Sequence, residues 1–269
     1  LRLAVSYSNE FDFANAEKCL EKWDVTHGGK PMGSALWDGK ILSSRGQYAA
    51  FLNKPEKALE FFDQALTCFE MLRGFDERAA QKQIEQTSVY AAIAAMDCEN
   101  VSREELTRRM EAALGSSVLD AIFLFKGTEE RFLQHLLVRY LVQRGTEEER
   151  RAYFSTYRTW LGSGMGKGHP WPIIQYLRAQ LTDDKKLKHK LAESIGWAAS
   201  RNSDTTVDFI MTTLLIASGA LDPDSEDGHG MIRTLRKKLP LMRCACDLME
   251  KASPGDASLV NEILTFNYR

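Results

Sequence analysis

The chain has 269 residues, 44% of them hydrophobic and 27% charged, the composition of a well-cored protein and not of a disordered, collagenous or linker-dominated one. Thirty-five Lys and Arg stand against 37 Asp and Glu, a formal net charge of −2, so there is no basic excess of the kind that nucleic-acid binding as a main task would need. Five cysteines scattered along the chain (Cys19, Cys68, Cys98, Cys244, Cys246) make no even-numbered disulfide framework and read as free thiols of a reducing compartment.

In chain order, apolar spacing predicts helices almost throughout. Helices are expected over 1–8 and 12–23, then a break at Gly28-Gly29-Lys30-Pro31, then helices over 34–52 and 55–72. Pro55 sits where a first turn tolerates proline best. In the segment that follows it, Ala58, Leu59, Phe62, Ala65, Leu66 and Phe69 keep one face of a 3.6-residue helix apolar, and Gly74 ends it. Further helices are expected over 76–97, 102–114, 117–125, 128–143, 147–161, 170–181 and 184–199, and then over 205–219, 228–250 and 256–266. Strand alternation is nearly absent, and Asp227-Gly228 lies in a polar loop rather than a hairpin. Short connections make consecutive helices antiparallel neighbours, so the fold class is all-α with the helical hairpin as its unit.

The longest apolar stretch, 207–221, carries Asp208 and several hydroxyl residues and falls short of the ~20 residues of a membrane span. No signal-peptide pattern opens the chain. The reading is cytoplasmic, with no membrane association. The chain starts at Leu1, already inside a helical pattern, and is expected to be part of something longer.

Internal repetition is the strongest signal. Gly46, Ala58, Phe62 and Ala65 stand 12, 4 and 3 residues apart. Small residues at 46, 58 and 65 let helices approach, and Phe62 fills the space between them. The stretch Gly39–Gly74 resembles a tetratricopeptide repeat. It departs from that family at Arg45, where a leucine is usual, and at Glu70, where a proline often closes the repeat. A second copy uses Ala4, Tyr7, Phe11-Asp12-Phe13, Ala16 and Leu20, with Trp23 replacing a small residue. A third uses Ala94, Leu106, Met110 and Ala113. The resemblance covers residues 1–115 and implies an α-solenoid of antiparallel hairpins, in which each repeat buries its face on the next. Residues 116–269 are expected to form further helical hairpins, as a continuing solenoid or a C-terminal helical domain. A generic helical bundle with the same core pattern is the alternative.

In the family that these residues resemble, the first helices of successive hairpins line a groove for a peptide or helix. Carried onto matching positions, that groove uses Asn9, Lys40, Ser43, Gln47 and Phe51, with Ser88 and Glu99 in the less regular third copy. Lys40 would hold a partner carboxylate, and Gln47 and Asn9 would bond its backbone.

Other chemistry finds little support. Leu161 to Gly168 resembles a phosphate loop at first sight, but position 161 is not glycine and Gly168 replaces the hydroxyl that would hold magnesium. The five histidines make no metal-binding helical pair. His135 lies on the apolar stripe of Phe132, Leu136 and Tyr140 and reads as a core or groove residue. Cys244 and Cys246 point about 200° apart on one helix and cannot share a metal there. The basic runs 185–190 and 233–238 read as solvated helix faces, with an acidic partner as the alternative. Trp171, between Pro170 and Pro172, reads as a packing staple or an exposed hot spot.

No catalytic set, metal or cofactor is expected. The function expected is a protein–protein interaction module that is not an enzyme. The alternative is a sensor or regulatory arm of a larger protein, and an all-α enzyme ranks behind both.

Overall fold

The computed structural model describes residues 1–10, 12–27, 32–124, 131–162, 172–181, 185, 205–240 and 243–259. Among the described residues there is no strand. In order, the helices are α1 (Arg2–Asn9), α2 (Phe13–His27), α3 (Ala35–Phe51), α4 (Pro55–Leu72), α5 (Glu77–Asp97), α6 (Arg103–Leu114) and α7 (Val118–Leu124). They continue with α8 (Arg131–Gln143), α9 (Glu147–Gly162), α10 (Pro172–Gln180), α11 (Thr205–Ala217), α12 (Glu226–Lys238) and α13 (Arg243–Lys251).

Two expectations are corrected. Asp227 and Gly228, expected in a polar loop, lie in the first turn of α12, where the Ser225 side chain accepts the Gly228 N–H. The segment 228–250 is two helices, because α12 stops at Lys238 and Leu239 leaves the helical region at φ −128° and ψ 67°. Pro240 follows, and a proline both biases the residue before it away from helix and lacks the donor that continuation needs. Of the remaining expected segments, 186–199 and 260–266 lie outside the described residues.

Two compact units emerge, one of Leu1–Ala94 with Asp208–Arg269, the other of Ala95–Val207. The division falls inside α5, and residue 115 lies within the second unit.

In the first unit, α3 and α4 form the tightest hairpin. A Cβ added to Gly39 would lie 2.8 Å from Cδ1 of Phe69, and one added to Gly46 would lie 2.6 Å from Cδ1 of Phe62. Both pairs are symmetric about residue 54, which fixes the two helices as antiparallel with the turn at its centre. Asn53 makes that turn at φ 55°, a left-handed conformation that asparagine tolerates better than most residues. Ala58, Phe62, Ala65 and Phe69 are completely buried. Phe62 also meets Tyr90 of α5, with ring centres 5.8 Å apart.

On its other side α3 packs against α2. Phe13 stacks on Phe51 at 4.1 Å between ring centres, and Arg45 reaches Asp24 at 2.6 Å and Glu17 at 3.8 Å. Burial raises the Glu17 carboxyl above its ordinary range, and the Arg45 charge opposes that rise. Arg45 is therefore a clamp between α2 and α3. Its guanidinium also lies 5.6 Å from the ring centre of Phe61. In the C-terminal part of this unit, Arg236 on α12 pairs with Asp247 at 2.6 Å and Glu250 at 2.7 Å on α13. Arg243 approaches Glu10, just past α1, at 3.8 Å.

In the second unit, Ser102 caps α6 by accepting the Glu105 N–H at 3.2 Å, and Gly115 ends that helix at φ 69°. Leu136, Leu137, Tyr140 and Leu141 of α8 and Ile174 of α10 are buried in its core.

Candidate functional site

At 100° per residue, Trp37, Lys40, Ser44, Gln47 and Phe51 share an arc of about 80° on α3, its middle about 130° around the helix from Gly39 and Gly46. The glycine side is taken up by α4, so this stripe lies to one side of the hairpin partner, with Trp37 turned furthest from it. It runs about 21 Å along the axis. Trp37 is 52% exposed at the start of the stripe. The Lys40 ammonium lies 5.2 Å from the centre of the Trp37 ring, and Lys40 and Gln47 are half-buried.

The expected groove residues fall in different settings. Lys40 and Gln47 sit on the stripe. Phe51 closes its far end by stacking on Phe13. Ser43 is off the stripe and only 9% exposed, so it does not line the exposed surface. Asn9 is exposed at the end of α1, the helix that packs on α2. Ser88 is half-buried in α5, and Glu99 is exposed beyond the end of that helix. Trp37 is not among the expected residues. Its signal in the sequence is the i, i+3 spacing to Lys40 on a helix whose opposite face carries the glycines.

A second polar constellation lies inside the other unit, among α8, α9, α10 and the end of α5. Arg178 donates from Nε to the Tyr153 hydroxyl at 2.6 Å and from Nη2 to Gln134 Oε1 at 3.4 Å. Arg139 donates from Nη2 to both carboxylate oxygens of Asp97, at 2.9 and 3.2 Å. Burial pushes the Tyr153 hydroxyl up, opposed by the Arg178 charge. Tyr140 is pushed up to about 12, by burial first and then by the Glu149 carboxylate. His135 is only 1% exposed, as its place on the apolar stripe implied. Burial, and secondarily the charge of Arg139, holds its imidazole well below the ordinary histidine range. Such a network fixes helix positions through directional bonds within the interior.

This histidine gives a pH prediction. Its folded pKa lies below the unfolded value of about 6.5, so its contribution to stability is complete above that pH and falls away below it. Between pH 7.5 and 5.5, wild type is expected to lose more stability than His135→Gln, by up to about 1.4 kcal/mol per pH unit below 6.5. Urea denaturation of both proteins at the two pH values checks this, and equal losses would remove His135 as the titrating group.

The basic helix α12 is partly occupied by its own contacts. Arg236 is held by Asp247 and Glu250, and Lys238 pairs with Asp208 at 3.0 Å. Arg233 and Lys237 are exposed. Lys185 is exposed, whereas the rest of its basic run, the glycine-rich stretch 163–168 and His169 to Trp171 lie outside the described residues. Cys244 is half-buried and Cys246 buried, both as free thiols. Among the described residues no cluster of His, Cys, Asp or Glu could hold a metal ion, and no helix is long and apolar enough to cross a membrane. The α3 stripe is thus the surface on which the expected partner-binding residues converge best. No family model matches this chain, and neither a curated protein nor a solved structure is found to be similar to it.

Proposed function

We propose that this chain is a protein-interaction module built from helical hairpins of the tetratricopeptide type, which binds a peptide or helix along α3. The observation that carries this reading is the interlock of α3 and α4. Two glycines on one helix receive two buried phenylalanine rings from the other, and Lys40 and Gln47 stand about 100° around α3 from those glycines, on a half-buried flank. A rigid hairpin of this kind holds its polar side chains in place before a partner arrives, which lowers the ordering cost of binding. Lys40 supplies charge to a partner carboxylate, and Gln47 supplies donor and acceptor groups to a partner backbone.

The test is a pull-down from native lysate with the whole chain, comparing wild type with the Lys40→Glu/Gln47→Ala double variant. A partner captured by wild type and reduced at least about tenfold by the double variant, at equal helicity by circular dichroism, is the expected result. Equal capture by both proteins would move the binding face away from α3.

A further inference from the structure

We propose that the Trp37–Lys40 end of α3 is an anchoring subsite for an acidic–apolar peptide segment, with a bulky apolar side chain against the Trp37 indole and a neighbouring carboxylate on the Lys40 ammonium. This deepens the reading of α3 as the binding face and rests on it.

Three observations bear on the occupant. The first is the apolar surface. Trp37 is 52% exposed and Met32 is 48% exposed. The Met32 N–H donates to Asp38 Oδ1 at 2.6 Å, which ties Met32 to the first turn of α3. A tryptophan at a half-exposed position offers a large, stiff contact area at small entropic cost, which is why it is common among binding hot spots.

The second is charge. Lys40 is half-buried, and its ammonium lies beside the ring at 5.2 Å. No carboxylate among the described residues pairs with it. Asp38, the acid closest to it in sequence, points about 160° away around the helix and is engaged by Met32. Elsewhere in this unit the partly buried cations Arg45 and Arg236 are each held between two acids. Lys40 is left as a positive charge at an apolar edge, which complements an anion brought by a partner and disfavours a basic one.

The third is direction. Phe13 closes the far end of the stripe on Phe51, so an extended segment lying on α3 has its open end at Trp37. The stripe spans about six residues of extended chain. A segment that places its apolar anchor on Trp37 and its acid on Lys40 then carries its backbone towards Gln47.

The experiment pans a phage-displayed library of random dodecapeptides on the whole chain and on its Trp37→Ala, Lys40→Glu and Gln47→Ala variants, each checked for unchanged helicity. Enriched peptides are resynthesised with a fluorophore and their affinities measured by anisotropy. Wild type is expected to enrich peptides with an acid beside a bulky apolar residue. Trp37→Ala and Lys40→Glu should each weaken them about tenfold or more, and Lys40→Glu should shift the enriched peptides towards basic residues. Enrichment of basic peptides by wild type would overturn the proposal. So would acidic–apolar peptides that lose affinity with Gln47→Ala but not with Trp37→Ala or Lys40→Glu, an outcome that leaves α3 as the binding face. No enrichment above a bead control would overturn both the anchor and the binding face. Self-association of wild type in sedimentation, lost in Trp37→Ala, would assign the surface to a second copy and overturn the peptide anchor.

Discussion

Replacing Phe62 by alanine is expected to destabilise the chain by about 3–5 kcal/mol, as for other fully buried aromatic residues cut back to a methyl group. The ring sits against the bare backbone of Gly46 on one side and near Tyr90 on the other, so its removal empties a contact between three helices at once. The more discriminating variant is Gly46→Ala. In wild type the new methyl would stand 2.6 Å from Cδ1 of Phe62, and relief of that overlap costs about 1–3 kcal/mol. In a Phe62→Leu background the obstacle is largely gone, and alanine in a helix interior is favoured over glycine by about 1 kcal/mol. Gly46→Ala should therefore destabilise wild type and become neutral or stabilising when combined with Phe62→Leu. Urea denaturation of the four proteins in this cycle reads the change of sign. Additive losses would mean that Gly46 is needed for something other than admitting the ring.

That interlock is also the part of the fold most legible in the sequence. Gly46, Ala58, Phe62 and Ala65 belong to two helices joined by three residues, so their spacing along the chain maps almost directly onto contacts across the hairpin. Legibility falls as contacts lengthen. Arg45 looks like a defect in the expected repeat until α2 is in place, because the acids that hold it, Glu17 and Asp24, come from that preceding helix. Helical periodicity places Phe51 beside Lys40 and Gln47, but only the stacking on Phe13 shows that Phe51 ends the stripe instead of lining it. Ser43 lies about 40° around the helix from Gln47, a small step that takes it from the half-exposed face to the buried one. The helix expected over 228–250 runs through Pro240 because its amphipathic pattern continues on both sides of the break. A local rule about proline outweighs the periodicity there. Trp37 escapes the pattern for the converse reason: the repeat assigns it no role, and its exposure becomes visible only once the surrounding helices are placed.

The ion pair between Arg139 and Asp97 gives the second large effect. Arg139 is only 3% exposed, whereas the Asp97 side chain is about one-third exposed, so the two halves of the pair are not equivalent. Asp97→Ala leaves a guanidinium in the interior with its bidentate carboxylate gone. It also removes the acceptor of Gln143 Nε2 at 3.3 Å. The expected loss is about 3 kcal/mol, at the lower end of the range for breaking a buried pair because water reaches the carboxylate side. Arg139→Met should cost less, since it takes the buried charge away and leaves Asp97 able to turn to solvent. The end of α5 would still be held by Arg144, which donates to the Met96 and Cys98 carbonyl oxygens at 2.9 and 3.2 Å.

The double variant Asp97→Ala/Arg139→Met should then be more stable than Asp97→Ala alone, a rescue that simple loss of packing at position 97 would not produce. The same series bears on His135, whose imidazole Arg139 helps to keep neutral. Because burial is the larger cause of that depression, Arg139→Met should retain most of the acid sensitivity between pH 7.5 and 5.5, while His135→Gln loses it. If Arg139→Met abolished the acid sensitivity as fully as His135→Gln, the charge and not the burial would govern the histidine. The interior of this unit would then be more permeable to water than its packing implies.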